Sequence, residues 1–309
     1  MSVNTAAGVP QRSGKFIPEI WSGKWNAKFY DTTVFGEIAN TDYQGEISAK
    51  GDKVIIRQRP DVTVRDYVKG QNLEIEHPDS DIVELLIDHA KYFNVALDDI
   101  DELQSDMKLM DAWMNDATEQ MKQVVDRAIL GSIWQDAAAI NQGANAGADS
   151  GDIDLGVTGS PIAITKANVL DFIVDMGTVL TESSIPETER SLILPPWMAG
   201  MIKKSDLRNA SFAGTDDSGN PVLRNGRIGD IDGFTLYSSK HLSRVADGGV
   251  NAFRILAMHK SALTFAAQMT KMETLRSERT FANLMRGLQV YGYEVLKDDA
   301  MAVGYVKKG

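Results

Sequence analysis

From Leu103 onward the apolar and small residues fall at Leu103, Met107, Met110, Met114, Ala117, Met121, Val124 and Ala128, in steps of four and three. That spacing gathers them on one side of an α-helix. Asp106, Lys108, Asp111, Asn115, Thr118, Glu119 and Lys122 make up the opposite, solvated side. Asp98, Asp99, Asp101 and Glu102 stand where the positive end of the helix dipole would be, and neither Gly nor Pro interrupts before Gly131. The pattern predicts a helix over residues 99–139, roughly 60 Å long, several times the usual globular helix. Spacing alone leaves two partners open, a second such helix or a sheet. Met and Ala are loose seam residues for a coiled coil. The strand-like segments on either side supply a sheet, so the helix is expected to lie on its own subunit's strands.

Before it the period changes. Val54, Ile55 and Ile56, then Val62 and Val64, then Leu73 and Ile75, are short β-branched or aliphatic runs separated by Pro60-Asp61, Lys69-Gly70 and Pro78-Asp79. Arg57, Arg59, Arg65, Asp66 and Lys69 are interleaved with them. Charge at that density suits a hairpin with two wet faces that projects from the body. A lone hairpin is marginal in water, so its base should rest on something. Residues 82–97 read as one or two further strands. Upstream, residues 1–15 are small and polar, and Phe16, Trp21, Trp25, Phe29, Tyr30 and Phe35, with the aliphatic Ile17, Ile20 and Val34 among them, form a dense aromatic set. Two readings stand there: a helix over residues 19–29 docked on the body, or an arm packed across a neighbouring subunit.

After the long helix, residues 142–159 are rich in Gly, Ala and Asp and read as a loop. Thr165 is placed to cap a helix to about Leu180 with Val169, Phe172, Ile173, Met176 and Val179 or Leu180 inward. Residues 191–194 read as a buried strand, and 196–204 as a short helix with Pro in its first turn. Residues 205–227 are polar and turn-rich. Ile228, Ile231, Phe234, Leu236 and Tyr237 suggest a strand pair broken at Gly229 and Gly233. Strands are expected over 253–258, 262–267, 272–276, 287–295 and 302–306. The whole is a mixed α+β architecture.

Composition narrows the chemistry. The 309 residues carry 43% hydrophobic and 24% charged residues, ordinary for a folded chain. A net charge of −11 argues against electrostatic capture of nucleic acid. There is no Cys, which removes disulfides, thiolate nucleophiles and Cys-based metal sites. The N-terminus has no signal-like apolar run and no window approaches a membrane span, so an intracellular protein is expected. His77, His89, His241 and His259 lack metal-type spacing, and no hydrolase elbow or phosphate-binding Gly loop occurs. The acidic stretches 149–154 and 216–217 do not fit a Ca²⁺ loop. A metal-dependent enzyme would have to use Asp152, Asp154, Asp216 or Asp217, and no catalytic, cofactor or metal site is assigned.

The order of parts resembles the major capsid protein of tailed bacteriophages, the HK97-like fold. Stretches 16–24 (FIPEIWSGK), 30–43, 51–57 (GDKVIIR), 229–234 (GDIDGF), 258–262 (MHKSA) and 290–295 (VYGYEV) are similar to phage coat proteins. The resemblance runs from about residue 15 to 306. It implies an N-terminal arm (1–50), an extended loop or E-loop (51–95) and a peripheral domain with a spine helix (96–164). An axial domain (165–270) and returning peripheral strands (271–309) would follow. It implies subunit contacts through Arg57, Arg59, Asp61, Arg65, Asp66 and Lys69 of the loop and through Phe16, Ile17, Trp21 and Trp25 of the arm. The expected function is a shell of pentamers and hexamers around packaged double-stranded DNA, in the virion, assembled in the host cytoplasm. The expected partners are the chain itself, a portal protein, and DNA held weakly and non-specifically, with no membrane. No long extension precedes the arm, so a separate scaffolding protein is implied. Lys69 stands near the loop tip, but no partner for an isopeptide cross-link is assignable. A tail or connector component, forming open rings or tubes, is the alternative.

Overall fold

The computed structural model describes residues 31, 33–42, 53–58, 60, 62–77, 82–99, 109–205, 231–278 and 280–309. A short helix α1 (Phe35–Ile38) comes first. Strands β1 (Lys53–Arg57) and β2 (Ile82–Leu86) pair antiparallel as a two-stranded sheet. Strand β3 (His89–Asp98) leads toward α2 (Leu109–Ser132). Then follow β4 (Ile162–Ile164), α3 (Val169–Glu182), β5 (Arg190–Leu194) and α4 (Pro196–Ile202). The chain closes with β6 (Phe234–Ser238), β7 (Arg244–Asp247), β8 (Val250–His259), β9 (Leu263–Arg276), β10 (Ala282–Val295) and β11 (Met301–Lys308).

The core is centred on a six-stranded sheet in the order β4-β11-β8-β5-β6, with β7 against β8. Strand β5 is buried at every residue, its apolar run Leu192–Leu194 bounded by Pro195-Pro196 and its first residues, Arg190 and Ser191, buried with it. Helix α3 covers the sheet with Val169, Phe172, Ile173, Met176, Val179 and Leu180, the residues that its 3.6-residue period selects. It approaches so closely that a Cβ at Gly304 of β11 would press on the Phe172 ring. Its N-cap is Asn168 rather than Thr165. The Asn168 Oδ1 instead accepts from the Thr165 N–H at 2.7 Å and hydroxyl at 3.1 Å, which ties down the turn before the helix.

A second sheet, β3-β10-β9, is built on two 14-residue strands. The strands expected at 262–267 and 272–276 are therefore continuous. A register shift at Val290/Tyr291, where β9 carries Gln268 as an extra residue, bulges β9 where β10 enters the main core. Gly287 takes the Phe93 ring across the strands, filling the space its missing side chain leaves.

Helix α2 lies on this sheet, against β3 and β10, and enters the main core at its C-terminal end. Two details differ from the sequence expectation. The helix stops at Ser132, with a 3₁₀ turn over Ile133–Asp136, instead of reaching residue 139. The Ser132 hydroxyl bonds back to the Ala128 and Ile129 carbonyls (2.9 and 3.2 Å) and lies 2.8 Å from the Tyr293 hydroxyl, and Trp134 Nε1 donates to the Gly131 carbonyl. Side-chain donors thus take the last carbonyls and end the helix. The buried stripe also changes phase: Val125, Ile129 and Ile133 are fully buried while Val124 is 42% exposed. A strict four-three repeat is 3.5 residues, and an α-helix drifts about 20° per heptad against it. By the third heptad the contact has moved one residue on. Leu103 and Met107, and the acidic Asp101 and Glu102, lie outside the described residues. Asp99 is spent on an ion pair with Arg276 of β9.

Candidate intersubunit surface

The described residues of the stretch 53–86 form one long hairpin whose register is constant. Lys53 faces Leu86 and Arg57 faces Ile82 in the β1-β2 ladder. Farther out the Glu76 carboxylate accepts from the Thr63 N–H (3.2 Å) and hydroxyl (3.1 Å), Arg65 pairs with Glu74, and the Gln71 N–H donates to the Val68 carbonyl at 3.0 Å. In each of these pairs the two residue numbers add to the same value. The turn is Val68-Lys69-Gly70-Gln71, with Gly70 at φ +91°, the left-handed conformation that the third position of a type II turn requires. From Gln58 to the turn the arms extend roughly 40 Å.

The projecting arms differ from the expectation of ladder-forming strands at 62–64 and 73–76. Among the described residues 62–77, only the turn bond joins the backbone of the two arms. A two-stranded ribbon with no sheet beneath it is marginal. Side-chain pairs hold its register while its amides stay in water. The base is supported: Ile56, Leu85 and Ile87 pack with Ala266, Val54, Val290 and Leu296. The chain leaving β2 crosses β10 so tightly that a Cβ at Gly292 would collide with the Leu86 carbonyl oxygen.

Of the sequence-derived contact residues, Arg57 ends β1 on its exposed face, Arg65 is ion-paired to Glu74, Asp66 is exposed, and Lys69 sits at the turn. Arg59, Asp61, Phe16, Ile17, Trp21 and Trp25 lie outside the described residues, as do Asp216 and Asp217. The structure therefore brings Arg65 to Glu74 and leaves the charged residues strung along the projection. The exposed apolar residues on it are the less expected feature: Val64 is 95% and Ile75 83% exposed, with Val62, Tyr67, Val68 and Leu73 each more than half exposed. The loop acids are committed locally. Asp154 accepts from the Gly156 N–H, and Glu182 accepts from the Asp149 and Ser150 N–H groups, which holds its carboxyl below the usual range. Among the described residues no three His, Asp or Glu side chains are grouped to hold a metal ion, and no helix is long and apolar enough to cross a membrane.

Two buried polar centres escaped the sequence reading. Asp126 of α2 is fully buried, and one carboxylate oxygen accepts from the Val34 and Phe35 N–H groups at 2.9 Å each, while the other meets His241 Nδ1 at 2.6 Å. This joins the start of α1, the long helix and the loop before β7. Outside it Lys240 pairs with Asp31 at 2.6 Å, and this hydrogen bond holds the Asp31 carboxyl below its ordinary range. Arg190, 2% exposed, donates to the Pro186, Gly177 and Ile185 carbonyls and the Thr181 hydroxyl, a fork closing the C-terminal end of α3. Burial lowers its affinity for the proton, and Glu187 and Asp232 oppose that. Neither centre has the open face that catalysis needs. In sequence, Asp126 stands beside Arg127 and Arg190 follows Glu187 and Glu189, so neither is marked out as a buried charge.

A family model described as phage capsid protein matches residues 83–304. Among solved structures the chain is similar to one from Mycobacterium phage Che8, with 27% identity and TM-score 0.73, over 94% of this chain and 97% of that one. It is similar to the capsid structure of Cyanophage P-SCSP1u at 16% identity and TM-score 0.67, over 95% and 94%. It is also similar to the capsid asymmetric unit of Cyanophage Pam1 at 11% identity and TM-score 0.69, over 96% and 98%. The last two likenesses concern the fold. No curated protein matches.

Proposed function

The chain belongs to the phage capsid protein family, and from that membership we propose that it is the major capsid protein of a tailed phage, assembling as pentamers and hexamers into an icosahedral head around double-stranded DNA. Its fold is the HK97-like one of capsid structures. The observation that carries the finer reading is the hairpin: a stiffly registered projection with large apolar side chains and no body of its own beneath it. In an isolated subunit that surface is a liability, and in a shell it is a contact. In this proposal residues 51–95 are the E-loop, residues 96–164 and 271–309 the peripheral domain with α2 as spine, and residues 165–270 the axial domain. Arg57, Arg59, Asp61, Arg65, Asp66 and Lys69 orient the loop on a neighbour, where charge fixes register more than it adds affinity. Phe16, Ile17, Trp21 and Trp25 of the arm make a second contact.

The role is structural, and the protein is proposed to act through contact and not catalysis. Charge of −11 is compatible with a wall around DNA neutralised by its own counterions, held weakly and non-specifically. A separate scaffolding protein and a portal are the expected partners, and assembly is placed in the host cytoplasm. The test is negative-stain electron microscopy of the expressed protein, alone and with its scaffold. Closed particles or capsomers are expected. Open tubes or rings of a single symmetry would favour a tail or connector component, and a strict monomer under every assembly condition would overturn the shell reading.

A further inference from the structure

The ladder between β8 and β11 sets Arg254 directly opposite Tyr305. Phe172 of α3 lies against Gly304 and Ile255. Side chains alternate along a strand, so Tyr305 and Arg254, one step along, stand on the side of the six-stranded sheet away from α3. There the Arg254 guanidinium lies 3.5 Å from the centre of the Trp134 ring and 4.9 Å from that of Tyr305, whose hydroxyl donates to Asp247 at 3.0 Å. Stacking takes the faces of the guanidinium plane and leaves the N–H groups on its rim. That rim is nearly empty. Nε is buried without an acceptor, and one Nη donates to the Thr158 hydroxyl at 3.4 Å. Asp247, the carboxylate nearest on this side, already takes the Tyr305 hydroxyl and the Gly159 N–H. Burial lowers the hold of Arg254 on its proton, and the Tyr305 phenol alone opposes this, with no carboxylate among the described residues doing so.

An arginine that merely roofs a core keeps its N–H groups in water. Nε of Arg254 is out of water and unbonded, so the group is built for an acceptor that a single subunit does not provide. Acceptors of that kind stand on the far side of the same sheet. Helix α3 buries Phe172, Ile173 and Met176 and turns Asp171, Val174 and Asp175 to solvent, with Val174 46% exposed. Asp171 and Asp175 are four residues apart, like charges on neighbouring turns that weaken a helix. Burial and the Asp171 charge hold the Asp175 carboxyl above its ordinary range, and no cation among the described residues draws it down. Glu182, farther along the helix, is already bonded to the Asp149 and Ser150 N–H groups.

We propose that Arg254, stacked between Trp134 and Tyr305, is a carboxylate receptor completed by a second copy, whose α3 brings the Asp171–Asp175 pair to the guanidinium rim. This rests on the capsid reading and deepens it by naming a polar anchor in the six-stranded core. A planar carboxylate accepts from two N–H groups of the fork at once. Complementarity identifies the occupant, because unfilled donors on one side of the sheet match unpaired acceptors on the other. Each surface also adds exposed aliphatic area. Val157 adjoins Thr158 and Val250 faces Asp247 across β7-β8, at 40% and 41% exposure, and Val174 stands between the two acids. Both surfaces are stiff, Arg254 through its rings and α3 through its buried side, so little ordering opposes their meeting. The two patches lie on opposite sides of one sheet, so the contact is head-to-tail and closes as a ring.

Arg254→Gln keeps a flat polar group between the rings and removes the charge, and Asp171→Asn/Asp175→Asn removes the anions. Each should give roughly tenfold fewer particles, and the two combined no fewer than either alone, because a single contact is lost only once. The Asn pair lies on exposed helix surface and should unfold in urea like the wild type, so it carries the test whatever Arg254→Gln does to folding. Wild-type particle yield from the Asn pair, or losses that multiply in the combination, would overturn the inference and leave the shell reading standing. The absence of Cys lets the occupant be identified directly. Chains carrying Val174→Cys are mixed with chains carrying Val157→Cys, assembled and treated with a short bismaleimide. Linked pairs holding one chain of each kind are expected. Closed particles without mixed pairs would mean that the carboxylate comes from elsewhere, and the proposal would fall. Mixed links in assemblies that never close would uphold the contact and overturn the shell reading instead.

Discussion

Replacing Asp126 by Ala should show how firmly the segment before α1 is tied to the long helix. Asp126 is fully buried and Val34 is 2% exposed, so water does not replace what the carboxylate supplies. The change strips the Val34 and Phe35 N–H groups of their acceptor and His241 Nδ1 of its partner at 2.6 Å. An orphaned buried donor costs about 1–3 kcal/mol, and a bond to a charged group contributes about 1.5–3 kcal/mol. Phe35 is only partly buried, so its amide recovers some of its loss from water. The expected sum is about 4 kcal/mol, or roughly 10 °C in Tm for a chain of this size. Asp126→Asn separates geometry from charge. Its Oδ1 still accepts both N–H groups, and its Nδ2 donates to His241 Nδ1, which puts the imidazole proton on Nε2, facing Asp31 at 3.9 Å. That variant should lose about 1 kcal/mol. Urea unfolding of unassembled subunits gives the energies, and hydrogen exchange at the Val34 and Phe35 amides gives the location. An Ala variant within 0.5 kcal/mol of wild type, or Asn as damaging as Ala, would refute the reasoning.

Arg190→Met removes the donor fork from three carbonyls and should cost about 3–5 kcal/mol in chemical unfolding. Arg190→Lys should recover only part, because an ammonium cannot span the fork. Gly292→Ala puts a methyl group on the Leu86 carbonyl, so the hairpin base must shift; a loss of about 1–3 kcal/mol and faster exchange of the β1-β2 amides are expected. His259 is held below the ordinary histidine range, first by burial and then by Lys297 and Arg190 against Glu189, and its Nδ1 accepts from the Ser261 N–H. The unfolded chain therefore takes up its proton first, and the stability this neutral ring contributes is lost as pH falls from the ordinary histidine value through the lowered one. Wild type should lose more stability than His259→Gln between pH 7.5 and 5.5 in parallel unfolding titrations. Equal slopes would remove His259 from the account.

Periodicity alone placed α3 with its inward residues, the buried strand at Ser191–Leu194 within β5, the short helix after Pro195-Pro196 and the turn at Lys69-Gly70, since each depends on local chemistry: a 3.6-residue stripe, an apolar run, a Pro, a Gly at positive φ. That the segment carrying Arg57, Arg65, Asp66 and Lys69 stands out from the body was legible from its charge density. Its amphipathic side was not, because reading a face needs a register, and register became known only when Lys53 was seen opposite Leu86 and Thr63 beside Glu76. The same limit explains Asp126 and Arg190. A buried charge becomes legible only when residues 92 and 13 positions away bring it their donors and acceptors. Local sequence thus determined where elements form and which side of α3 faces inward. Tertiary structure decided where α2 stops and turns its face, which carboxylate is buried, and which side of the hairpin is left without a body to cover it. Those outcomes rest on pairings between distant segments, whose geometry is set by the packed whole.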